Sequence, residues 1–283
     1  SNRVLSMTCI CWNHKNDRYE LMRFNRQHPD MAAMLVALGR TIVVEVELRV
    51  EENHNLRCES WVSLSANELF AAPGSSGSTI ESFLESSGRI EAIWYPFTSN
   101  PWLKVWPVQP TKPFWAREVS GPFNYPFSDN ISEEVSNLIG QIMDGAPGLT
   151  PQFGQLMETV TSLGLLFDGA FDLWGPSKNL LLYVRPTTLR VTANGYAVLT
   201  RRSDVQRVIH EFVQKYETLI QSYADNGKYP INGPMEIRVT GLDHAEDVGL
   251  TGAGQPPREI NPRKLCRTRG LTGFTRGRNA VPV

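Results

Sequence analysis

Between Trp94 and Phe127 ten aromatic side chains fall within 34 residues, and Pro107, Pro110, Pro113, Pro122 and Pro126 punctuate residues 107–130. Prolines at that density remove backbone donors and fix φ, so 107–130 is predicted to be a long irregular segment of the type that forms lids and binding loops. The aromatics have two readings. They anchor a core and its loops, or they wall a site for a large flat apolar ligand, which needs rigid surfaces and few polar groups. The chain has 283 residues, 41% of them hydrophobic, which is enough for one large or two ordinary domains.

Around this segment the apolar spacing predicts an ordered body. Val4–Trp12 and Tyr19–Phe24 read as strands about the turn Asn13–Asp17, and Met31–Leu38 as a short helix with Asp30 before it. Val44, Val46, Leu48 and Val50 alternate with Glu45, Glu47 and Arg49, the period of a half-exposed strand. Further on, Ser65–Glu68 fits a capping box, Ile80–Ser86 is a helix stopped by Gly88, and Arg89–Tyr95 and Trp102–Pro107 pair as strands. Ser132–Met143 and Phe153–Phe167 read as helices, and Leu180–Pro186 and Leu189–Leu199 as strands. Ser203–Gln206 fits a second capping box, opening a helix with Val205, Val208, Ile209, Phe212, Tyr216, Leu219, Ile220 and Tyr223 on its apolar stripe and Gly227 as its stop. Met235–Leu242 closes the series as a strand. The order predicts an α+β unit, an antiparallel sheet with helices on one face.

Charge narrows the function classes. Residues 258–278 carry seven basic side chains and one acid, whereas the rest carries 21 basic against 28 acidic. An acidic body argues against a nucleic-acid platform. There is no run of 18 apolar residues for a transmembrane segment. Cys9-Ile10-Cys11 is the one short cysteine spacing, and with His14 the sole nearby histidine no metal site is expected. G-x-S-x-G, P-loop and H-E-x-x-H motifs are absent, and Gly252-Ala253-Gly254 is not a dinucleotide fingerprint.

Two strands carry candidate chemistry. In Pro234–Val239, Glu236 and Arg238 share one face while Met235, Ile237 and Val239 take the other. The pair is either a solvated strand face or a carboxylate and guanidinium lining a cavity, able to pair and separate. Glu91 sits in the otherwise apolar run Ile90–Trp94. It is either an exposed residue or, facing a dry pocket, a carboxyl with a pKa raised by desolvation that works as general base or acid.

Six runs, in order, resemble one family: Glu91–Thr98, Pro101–Trp106, Arg117–Tyr125, Asp172–Gly175, Thr187–Arg190 and Asn232–Val239. Together they look like the substrate-binding domain of the type II cholesterol oxidases, the covalent-flavin members of the vanillyl-alcohol oxidase family. The resemblance runs from about Ser1 to Pro257. It implies a cap domain of such a flavoenzyme, preceded by the end of its α+β FAD-binding domain. It implies that FAD accepts hydride from the 3β-hydroxyl carbon of a sterol, that molecular oxygen reoxidises it with release of hydrogen peroxide, and that the ring double bond moves. By position Glu91 matches a family active-site carboxylate, and Glu236 and Arg238 match an acid–arginine pair that lines the site and gates a path for oxygen.

The domain expectation is 1–54 as the end of the FAD-binding domain, 55–250 as the substrate-binding domain, and 251–283 as a basic tail, disordered or read out of frame. By the resemblance, the histidine that tethers FAD and an active-site asparagine fall outside this chain, and a family acidic position falls at or near Ala193. This piece alone is then expected to be inactive and to hold no flavin stably. Its partners are a sterol and molecular oxygen, with transient contact to the membranes that hold the sterol and no nucleic acid. The family is commonly secreted. The competing readings are a noncatalytic sterol or hydrophobic-ligand-binding module, a vestigial gene product, or an oxidase of a different alcohol such as a polyol.

Overall fold

The computed structural model describes residues 3–35, 37, 39–50, 52–129, 131–181 and 193–241. It contains two compact units, one that includes Ser1–Val50 and one spanning Glu51–Gly241.

In the first unit β1 (Val4–Asn13), β2 (Arg18–Asn25), α1 (Met31–Leu35) and β3 (Ile42–Leu48) follow one another, and the strands pair antiparallel in the order β2-β1-β3. Asp17 ends the tight turn between β1 and β2 at φ 50°, a left-handed conformation that aspartate tolerates better than most residues. Val4, Cys9, Phe24 and Met31 form a small core, with Met7, Cys11, Met22, Met34 and Leu35 packed against it. Cys9 and Cys11, two residues apart on β1, therefore face the same cluster, and burial pushes both thiols up. β3 departs from the half-exposed expectation, since all seven of its residues are exposed. Its acids bond across the sheet, Glu45 accepting from Thr8 at 2.9 Å and Glu47 from Ser6 at 2.8 Å.

The second unit runs β4 (Asn55–Trp61), α2 (Ala66–Leu69), α3 (Ile80–Ser87), β5 (Ile90–Trp94), β6 (Trp102–Val105), β7 (Arg117–Glu118), α4 (Pro126–Asp129), α5 (Glu133–Met143), α6 (Thr150–Phe167), β8 (Asp172–Pro176), α7 (Ser177–Leu180), α8 (Val205–Asp225) and β9 (Met235–Arg238). Six strands pair in the order β7-β8-β4-β6-β5-β9, antiparallel throughout except for β7 with β8. The fold is the expected α+β class. Side-chain hydroxyls fix three helix starts: Ser65 accepts from the Glu68 N–H, Thr79 from Ser82 and Ser132 from Val135. Gly88 closes α3 at φ 72°, the left-handed geometry that glycine takes without strain.

The sheet has two faces with different covers. On the first, Ile90, Ala92, Trp94, Leu103 and Val105 pack against Ile80 and Leu84 of α3 and Val205, Ile209, Val213, Tyr216 and Ile220 of α8. The α8 stripe is rotated from the expected one. Val213 is buried, while Phe212, Leu219 and Tyr223 are exposed. Nor does Ser203 cap α8: a 3-10 turn, Arg202–Asp204, precedes the helix, and the Gln206 side chain is turned inward. On the second face, Leu56, Cys58, Trp106 and Leu173 meet Leu165 of α6, and the aromatic segment lays Phe123, Tyr125 and Phe127 over them. That face is thus covered jointly by α6 and an irregular, proline-broken segment.

Two glycines let α6 lie close. A Cβ on Gly154 would sit 2.5 Å from the Pro96 carbonyl oxygen, and one on Gly164 would run into the Phe127 ring. Because the first neighbour is backbone, it cannot rotate away. Gly154→Ala is expected to cost about 1–3 kcal/mol by overpacking. That loss should lower the melting temperature by roughly 2–12 °C, at 2–4 °C per kcal/mol for a domain of this size. An unchanged melt would show that α6 is not seated on the Pro96 turn.

Of the remaining sequence expectations, Val36 and Leu38 of the first helix, residues 182–186 and 189–192 of the two strands expected within 180–199, the end of the last strand and the tail 251–283 lie outside the described residues. Within the described part, Leu180 closes α7 and 193–200 carry no regular element. β4 and β8 were not anticipated as strands.

Candidate active site

The candidate residues converge on a row across three strands. On β5 Glu91 lies opposite Lys104 of β6 on one side and opposite Arg238 of β9 on the other. Directly opposed residues of antiparallel strands project to the same face, so the three side chains form one line. The Lys104 ammonium and the Arg238 Nε both donate to the Glu91 carboxylate, one to each oxygen. The Arg238 Nη2 also donates to Glu236 Oε2 at 2.7 Å. Arg238 therefore bridges two carboxylates, and the four charges cancel.

Burial divides the row. The Lys104 and Glu91 side chains are 7% and 9% exposed, whereas Arg238 and Glu236 are 52% and 43% exposed. Glu236 and Arg238 alternate with the half-buried Met235 and Ile237 along β9, so the pair both lies on the wetter face and closes on itself. Glu91 is buried, as the sharper sequence reading required, but its expected pKa direction is corrected. Burial does disfavour the charged carboxylate, yet Lys104 and then Arg238 outweigh it and hold the carboxyl below its usual range. Glu91 is an ionised acceptor at neutral pH.

The second-face aromatics surround the inner end of the row. The Lys104 Nζ lies 4.6 Å from the Trp102 ring centroid, 5.3 Å from Trp106 and 5.9 Å from Tyr125. Tyr125 meets Trp102 edge-on at 4.8 Å and Phe123 at 5.2 Å. Below them the Cys58 thiol lies 3.7 Å from the Tyr125 hydroxyl. Burial pushes Cys58 up to about 11, against the smaller opposing effects of Tyr125 and Lys104, and pushes Tyr125 well above its ordinary value too. Neither is a base or nucleophile near neutrality. Tyr95, after β5, is raised to about 12 by burial and by the nearby Glu236. It lines a crevice with Val62, Ile93, Asn100 and Trp102. Among the described residues no group of three metal-ligating side chains occurs.

Sequence reasoning singled out Glu91, Glu236 and Arg238, and the structure brings them together. It missed Lys104. The signal was present in Trp102-Leu103-Lys104-Val105-Trp106, which puts the lysine on the face of two tryptophans.

The domain family described as cholesterol oxidase, substrate-binding, matches residues 55–264. The chain belongs to that family. A solvent-stable cholesterol oxidase is 52% identical, with a TM-score of 0.80 over 89% of this chain and 47% of its own. A histidine-to-alanine mutant of cholesterol oxidase from Brevibacterium sterolicum is 44% identical, with a TM-score of 0.79 over 88% of this chain and 46% of its own. The crystal structure of cholesterol oxidase from B. sterolicum matches at 44% identity and a TM-score of 0.79, over 87% of this chain and 46% of its own. The chain thus spans about half the length of these solved structures. No match is found among curated proteins. The Glu91 row accordingly lies in a cholesterol oxidase-type substrate-binding domain.

Proposed function

We propose that this domain binds a 3β-hydroxysterol for an FAD-dependent oxidase that yields the 3-ketosteroid and hydrogen peroxide and shifts the ring double bond. The observation that carries the reading is the buried Glu91 carboxylate on the sheet face that Trp102, Trp106, Phe123 and Tyr125 cover. A steroid is large, flat and apolar with one hydroxyl, and it requires apolar walls with one proton acceptor at one end. FAD supplies the hydride-accepting chemistry when bound. Among the described residues no glycine-rich strand-to-helix turn presents backbone N–H groups to its pyrophosphate, so FAD is assigned no residue here.

In this reading Glu91 takes the hydroxyl proton or moves a proton during isomerisation. Arg238, half exposed and shared with Glu236, swings between closed and open positions and so controls the passage of oxygen. The test is the full-length oxidase carrying this domain. Equimolar consumption of sterol and release of peroxide are expected, whereas oxidation of polyols with no turnover of sterol would overturn the assignment. Arg238→Ala is expected to change the oxygen concentration needed for half-maximal turnover more than the KM for sterol. If only the sterol KM moved, Arg238 would be a substrate contact and not a gate.

A further inference from the structure

Arg238 and Lys104 hold the same carboxylate in unlike ways. Arg238 stands on β9, a four-residue strand at the end of the sheet order, and half of its side chain is in water. It has a second carboxylate, Glu236, within reach. Lys104 stands on β6, between β4 and β5. Its side chain is almost fully enclosed, and three aromatic rings lie within 5.9 Å of its ammonium. One cation is half exposed and shared between two carboxylates, and the other is enclosed with one.

The groups facing Glu91 leave Lys104 little competition. From β4 come Cys58 and Ser60, from the irregular segment Tyr125, and from β9 Arg238 and Glu236. Cys58 and Tyr125 are neutral near pH 7, as burial has raised both. If Arg238 left and nothing else were near, Glu91 would be a bare buried carboxylate and would take up a proton.

We propose that Lys104 is the positioning residue of the site: braced by Trp102, Trp106 and Tyr125, its ammonium keeps the Glu91 carboxylate oriented and charged while Arg238 lets go of Glu91 and stays on Glu236. Lys104 touches no substrate in this assignment and acts through Glu91. A point-like ammonium over aromatic faces suits the task, because ring quadrupoles stabilise a cation without neutralising it. The inference deepens the proposed function and rests on it for its purpose, but the electrostatic claim is measurable on this chain without turnover.

The experiment is a carboxyl-carbon NMR titration of the full chain labelled with 13C at the glutamate side chains, with Glu91→Gln to assign the resonance. Arg238→Met is expected to shift the Glu91 midpoint only slightly. Lys104→Met is expected to raise it by about one pH unit or more, and Lys104→Arg to restore most of the shift. An unchanged midpoint in Lys104→Met, or a larger rise in Arg238→Met than in Lys104→Met, would overturn the proposal. If Lys104→Met does not fold, Arg238→Met against the unsubstituted chain decides alone: a rise of about one pH unit or more in the Glu91 midpoint there would overturn the proposal. In the full-length oxidase, the acid limb of the kcat–pH profile should move up with Lys104→Met and return with Lys104→Arg. The expected titration without any sterol oxidation would sink the functional reading and leave the Lys104–Glu91 coupling standing.

Discussion

Glu91→Leu is expected to destabilise the Glu51–Gly241 unit by about 3–5 kcal/mol, because it strands a buried ammonium. The loss comes almost wholly from Lys104, since Arg238 is half in water and an exposed pair contributes little. The paired change Glu91→Leu with Lys104→Met should recover most of it, as a buried ion pair replaced by apolar side chains of similar volume is often neutral. Urea midpoints of the parent, the two single variants and the double variant give the coupling directly. Purely additive losses would show that the two charges do not depend on each other. The acid response follows from the depressed Glu91 carboxyl. A folded pKa below the unfolded one, about 4.3 for glutamate, adds stability that is complete above the unfolded value and is lost as pH falls through the folded one. The parent should therefore lose stability in that acid window more steeply than Glu91→Leu does. Equal slopes would mean that Glu91 is not held ionised.

Gln206→Leu is the second large expected loss. This side chain is 1% exposed and ties three segments together. Its oxygen accepts from the Glu81 N–H at 3.0 Å, and its nitrogen donates to the carbonyls of Leu69 at 3.3 Å and Ala71 at 2.7 Å. Leucine fills the space and satisfies none of them. With each stranded buried group costing about 1–3 kcal/mol, a total of roughly 3–5 kcal/mol is expected after local adjustment. Gln206→Glu should be no better, because carboxylate oxygens would then face two carbonyl oxygens. Calorimetry is the check, and a Gln206→Leu melt within a degree of the parent would show that the amide is dispensable.

Both predictions bear on what the sequence disclosed. Local chemistry was legible wherever it was self-contained. Ser65 caps α2 by accepting from the Glu68 N–H, as its capping box predicts, and Gly88 stops α3 by its own backbone. Gln206 shows the opposite case. In a capping box it would serve the start of its own helix, but its partners are 125 to 137 residues away, and only tertiary packing reveals them. The rotated stripe of α8 has the same origin, because several apolar positions could face a sheet and the sheet decides which do. β4 and β8 are short strands whose inward faces carry few large apolar residues, Leu56 and Cys58 on one and Leu173 on the other, while Arg57 and Asp172 lie on the outward face. The two meet across the strands in a bidentate pair at 2.8 Å. The site was half legible. Alternation gave Glu236 and Arg238 a common face, and Glu91 stood out as the one acid in the apolar run Ile90–Trp94, which the family resemblance then matched to an active-site carboxylate. The direction of the Glu91 pKa required Lys104, thirteen positions away on a neighbouring strand.

The place of β9 at the sheet end has a consequence for time scales. A strand paired along one side only frays more cheaply than β6, which is equally short but held between two neighbours, and local opening is set by such differences. The charge row therefore runs down a gradient of protection. In amide hydrogen exchange, Lys104 and Glu91 should report openings close to global unfolding, and Arg238 a far cheaper one. Arg238 could then be released many times without the core that holds Glu91 ever opening.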